Sequence, residues 1–119
     1  MPIVTTARGR YEVALTEQKT YLVRYSAPGK VAKSVQLELQ GSSAEDWTYG
    51  FGMNIDITLL DSLPDVDYSV LSEPFGITRF NAATGYYEWD VEYTRSMSDR
   101  QKALINAYRE RLQQEGNRR

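Results

Sequence analysis

Glu88, Asp90 and Glu92 recur at every second position within Gly85–Arg95. If that stretch is a strand, the three carboxylates share one face and stand roughly 7 Å apart. An inverting glycosidase separates its acid and base by about that much, and three such oxygens also suit a hard cation such as Ca²⁺. A simpler account needs no reaction, since an antiparallel strand with one wet face carries charges there. The intervening Tyr87, Trp89, Val91 and Tyr93 keep the same period. The stretch therefore reads as a half-buried strand with an aromatic core face and an acidic outer face. That acidic face is a charge-pairing surface for a partner before it is a catalytic one.

The other candidates for chemistry are weaker. Asp61, Asp65 and Asp67 have the composition of a calcium loop, but Leu63 and Val66 stand where a ligand and the invariant glycine belong. Asp residues near a proline are ordinary turn chemistry. Lys30 and Lys33 lack the glycine spacing of a phosphate-binding loop. Trp47, Tyr49 and Phe51, interleaved with Gly50 and Gly52, could stack on a base or sugar, anchor an interface, or continue a core face. Trp47, at the edge of a polar loop, is retained as a partner-contact candidate. Arg109 and Arg111, with Arg100, Lys102, Arg118 and Arg119, form a basic C-terminal region. Cations near a helix C-terminus complement its dipole without further function, so a solvated face or a subunit contact is preferred to nucleic acid.

The chain of 119 residues contains neither Cys nor His. Disulfides, Cys nucleophiles, Ser-His-Asp triads and Cys/His zinc sites are thereby excluded for this chain. No catalytic residue, metal site or cofactor is assigned. The net charge of −2 conceals a segregation. Residues 1–40 carry six Lys/Arg against three Asp/Glu, residues 41–95 two against ten, and residues 96–119 six against three. Acidic and basic blocks of this kind pair within a fold or between subunits. The N-terminus has no apolar signal-peptide core and no run of 18 apolar residues occurs, so no membrane partner is expected.

The elements that would position these groups are mostly strands. Alternation marks 11–15, 21–25 and 35–40, with Pro28-Gly29 as a type II turn between the second and third. A further strand is expected where Phe51, Met53, Ile55, Ile57 and Leu59 hold one face, with Gly50 and Gly52 marking a bulge or a close backbone approach. Tyr68–Leu71, Gly76–Phe80 and the acidic stretch complete the set, the last two joined by a hairpin loop ending at Gly85. The period then changes to 3.6. Ser98 and Gln101 form a capping-box pattern, Leu104, Ile105, Tyr108 and Leu112 an apolar stripe, and Gly116 a C-terminal cap.

The expected fold is one mainly β domain, an antiparallel barrel or sandwich of six to seven strands with one C-terminal helix, with α+β as the near alternative. Its layout would be an arm at 1–9, a β-rich body at 10–95, a helix at 97–116 and a basic tail at 117–119. The expected function is that of a non-enzymatic structural or assembly protein acting on copies of itself or on a protein partner. By analogy of type, its setting would be the cytoplasm or a particle assembled there, such as a virion head, neck or tail. The alternatives are a small acidic inhibitor that occupies a basic site on a larger partner, and a carbohydrate- or ligand-binding barrel.

Overall fold

The computed structural model describes residues 14–53 and 55–117. Among these residues four strands form one open mixed sheet in the order β1 (Thr20–Tyr25), β2 (Lys33–Glu38), β3 (Gly76–Asn81), β4 (Tyr86–Trp89). The pairs β1–β2 and β3–β4 are antiparallel hairpins, and β2–β3 is parallel. Three helices among the described residues accompany the sheet: α1 (Ala44–Tyr49), α2 (Val91–Arg100) and α3 (Lys102–Asn117). The fold is thus α+β, and the expected barrel or sandwich of six to seven antiparallel strands is not what the chain builds.

Both hairpins follow from turn chemistry. Lys30 donates its backbone N–H to the Ala27 carbonyl at 3.1 Å, and Gly29 has φ 74°. Pro28-Gly29 thereby forms the type II turn that needs a residue without a Cβ at its third position. Gly85, with φ 77°, closes the second hairpin by donating to the Asn81 carbonyl at 2.8 Å.

Register assigns the two sheet faces. Val35 pairs with Val23 and Gly76, and Leu37 with Tyr21 and Thr78, while Thr78 and Phe80 pair with Trp89 and Tyr87. These residues share one face. Val35, Leu37 and Leu39 form its buried cluster, against which Trp47, Ile55 and Phe75 pack from outside the sheet. The opposite face carries Ser34, Glu38, Ile77 and Arg79, and on it lie a 3₁₀ turn at Ser69–Ser72 and α2. Ile77, Leu71 and Met97 are buried.

Several sequence expectations are corrected. The segment from Phe51 to Leu59 is not a strand among its described residues, although Ile55, Ile57 and Leu59 are half-buried and Asp56 and Thr58 exposed. Alternation reports an extended chain lying on a surface, whereas a strand also needs a neighbour for its backbone groups. Trp47 and Tyr49 belong to α1, which is capped by Ser43 accepting from the Asp46 N–H at 3.1 Å and stopped by Gly50 at φ 90°. Gly50 is therefore a helix C-cap, not a bulge. Tyr68–Leu71 lies at the 3₁₀ turn, with no strand there.

The helical region begins earlier than Ser98. The strand of the acidic stretch ends at Trp89, and Asp90 caps a helix that starts at Val91. Ser98 is inside α2, the chain bends at Gln101, and α3 runs through Gly116 to Asn117. One expected helix at 97–116 is thus two, starting at Val91. The helices fasten to their own chain. Met97 of α2, the helix that contacts β3, is buried, and Tyr108 on α3 accepts a hydrogen bond from the Asp61 N–H at 3.1 Å. Asp61 also forms an ion pair with Lys30, and its carbonyl accepts from the Tyr68 hydroxyl at 2.8 Å. The arm at 1–9, most of the expected strand at 11–15, and Arg118 and Arg119 of the tail lie outside the described residues. Leu15 is described and packs on the core without strand pairing.

Candidate functional site

Glu88 and Asp90 line one concavity with Arg79, whereas Glu92 has moved onto α2, so the three carboxylates do not form one strand face. Glu88, on β4, accepts from the Asn81 side-chain amide at 2.7 Å and the Thr84 hydroxyl at 3.3 Å. Asp90 uses one oxygen to cap α2, accepting from the Tyr93 N–H at 2.9 Å, and the other to pair with Arg79. Glu92 is exposed in the first turn of α2, where a carboxylate complements the positive end of the helix dipole. A strand-type 7 Å ladder of acid and base is therefore absent here.

Arg79 is the residue that sequence reading missed. It spans the sheet face from β3, donating to Glu38 of β2 at 2.7 Å and to Asp90 at the start of α2. Its signal in the sequence was isolation: only Arg79 and Arg95 interrupt the acidic block at 41–95. With half its side chain in water, each ion pair contributes little alone, yet the two together tie strand, hairpin and helix start. The Tyr93 N–H, followed by Arg79, holds the Asp90 carboxyl below the usual carboxylate range. Stability from Asp90 is therefore present above its unfolded value of 3.8 and is lost as pH falls through the lower folded value. Urea midpoints measured between pH 5 and about pH 2 should fall less steeply in Asp90→Asn than in the parent chain; equal slopes would remove the carboxylate from this account.

The aromatic candidates gather on the opposite face. Trp47 is half-buried, donates its indole N–H to the Thr16 carbonyl at 3.3 Å, and stands 6.4 Å from Phe51. Trp47 is thus a wedge over the core more than a free contact. Phe51 meets Tyr87 edge-on at 4.9 Å, and Tyr87 meets Phe80 at 5.3 Å. Met53 places its sulfur 3.9 Å from the Thr78 hydroxyl, beside the position that pairs with Trp89. Trp89 lies over Gly76. The outcome is a patch in which Phe51, Met53 and Trp89 remain 37–38 % exposed.

Arg109 and Arg111 differ. Arg109 is exposed on α3 and makes no ion pair among the described residues. Arg111 is only 14 % exposed, pairs with Glu115 at 3.0 Å and reaches Gln114 at 3.1 Å. Its Nε is buried without a hydrogen-bond partner. The apolar stripe of α3 is buried at Leu104 and half-buried at Ile105 and Tyr108, but Leu112 emerges 42 % exposed.

A concavity of about 420 Å³ is lined by Leu22, Arg24, Val31 and Leu71 among others. Burial lowers the Lys33 ammonium below its ordinary range, and that group donates to the Thr58 carbonyl at 2.7 Å. Among the described residues no three acidic side chains converge as a metal site requires, and no helix is long and apolar enough to cross a membrane.

Fold and site together define a small α+β domain with an open four-stranded mixed sheet and an aromatic patch on one side. Comparison with protein-family models, curated proteins and solved structures finds no match.

Proposed function

We propose that the protein is a non-enzymatic structural or assembly protein that works by binding further copies of itself. The observation that carries this reading is the distribution of apolar side chains among the described residues. Seven hydrophobic residues are buried as core, and seven large ones are exposed. Single exposed hydrophobics are normal, but an aromatic cluster on one surface is the kind of feature that marks a contact site. The unequal charge blocks supply complementary rims, which steer association and fix register more than they add affinity. A particle assembled in the cytoplasm, a virion component among them, is the natural setting for such a subunit.

The acidic-inhibitor reading gains no support, because Asp90 is occupied by Arg79 and Glu92 has turned onto a helix. The binding-barrel reading loses its mouth with the barrel. Size-exclusion chromatography with light scattering, run from low to high salt over a range of protein concentrations, tests the proposal. Oligomers whose mass rises with concentration are expected, and a monomer of 13.6 kDa under every condition would sink it.

A further inference from the structure

We infer that the Phe51–Met53–Trp89 patch of one copy receives the C-terminal half of α3 from a second copy, with Arg109 and Leu112 as its contacts. This rests on the self-association reading and names the two surfaces that meet. The patch is apolar and only partly covered, and the segment that carries Phe51 and Met53 is acidic, although Arg79 lines a concavity together with Trp89. From Gly41 to Thr78 there are seven carboxylates and neither Lys nor Arg. Glu45 opens α1, two residues before Trp47, and Asp56 lies three residues beyond Met53, both exposed. Like charge bars this surface from meeting its own copy face to face.

In the far half of α3 the complementary character belongs to the face of Arg109 and Leu112, since Glu115 is paired with Arg111 and Glu110 falls on the other side of the helix. Leu112 continues the stripe of Leu104, Ile105 and Tyr108 past the body that buries them. Arg109 projects one turn away without an ion pair among the described residues. An amphipathic helix that lays an apolar side chain and an arginine into an aromatic groove is a common recognition mode, and Trp and Arg are the residue types that dominate interface energies. The patch lies on the sheet face opposite α2, which leads into α3. Donor and acceptor surfaces are thus different parts of the molecule, and the contact joins unlike surfaces.

The test uses two full-length variants. Arg109→Glu/Leu112→Glu removes the helix contact and leaves the patch intact. Met53→Lys/Asp56→Lys removes the patch contact and leaves the helix intact. All four positions are exposed, and circular dichroism and thermal melting establish that each variant folds. Each variant alone should self-associate at least roughly tenfold more weakly than the parent chain by light scattering. An equimolar mixture should recover association, because the intact helix of one then meets the intact patch of the other. A folded pair that stays monomeric when mixed overturns the inference, as do variants that associate like the parent. A parent chain that is itself monomeric overturns the reading beneath it, which keeps the two failures apart.

Discussion

Met97→Ala should cost about 3 kcal/mol of unfolding free energy and lower the melting temperature by roughly 10–15 °C. Met97 is 2 % exposed and is the largest of the fully buried side chains. It sits in the seventh position of α2, the helix whose start Asp90 fixes beside β3. Truncation removes the transfer free energy of three heavy atoms and leaves a space that a helix, pinned at its start by Asp90 and Arg79, cannot close. The natural control is Met53→Ala, since Met53 is the same residue type at a partly exposed position. That substitution should stay within about 1 kcal/mol. Urea unfolding followed by circular dichroism, with slopes checked for equality, measures both. Equal losses in the two variants would mean that Met97 is not the seat of α2 on the sheet. The experiment also separates two readings of the chain. A helix beginning at Ser98 would leave Met97 in the connection before it, where truncation costs little.

That contrast shows what the sequence disclosed and what it withheld. Turn chemistry was legible, because a positive φ at Gly29 or Gly85 is a local demand that only a few residue types meet. Strands overlapping those at 20–25, 33–38, 76–81 and 86–89 were legible from alternation, although the second was read as 35–40 and the last was carried on to Arg95. The segment at 51–59 was misread because period-2 burial is a property of extended backbone against a surface. Whether a ladder forms depends on a neighbour that no local pattern encodes. The Ser43-Ala-Glu-Asp46 cap was present in the letters, but three aromatics spaced two apart outweighed it in the reading. In the acidic stretch the competing signals were one residue apart. Asp90 serves a strand face poorly and a helix start well, and its cap on the Tyr93 N–H settled which pattern won. Once the strand ends there, the catalytic spacing of Glu88, Asp90 and Glu92 disappears with it. The parallel pairing of β2 with β3 was out of reach, because the described residues between them form one short helix and a 3₁₀ turn in place of a long crossover helix.

Gly76→Ala should destabilise the domain by about 1–2 kcal/mol, and the sign should reverse when Trp89 is made smaller. Gly76 is buried in β3, and a Cβ placed there would stand 2.7 Å from one ring atom of Trp89 and 3.0 Å from another. Two effects compete. Alanine restrains the unfolded chain and suits a strand better than glycine, which favours the variant by roughly 0.5–1 kcal/mol. Against that, the rigid indole must move off the sheet, and overpacking of this kind costs about 1–3 kcal/mol. With Trp89 in place the second effect is the larger. In a Trp89→Leu background the obstruction is gone, so Gly76→Ala should become neutral or stabilising by about 0.5 kcal/mol. The coupling between the two positions should therefore lie within the range of about 0.5–3 kcal/mol seen for contacting residues, and chemical denaturation of the four proteins of the cycle measures it. Additive changes would show that the indole does not rest on Gly76. If the coupling is found, the glycine explains how Trp89 can come this close to β3 with part of its ring still facing water, which is the geometry the aromatic patch requires.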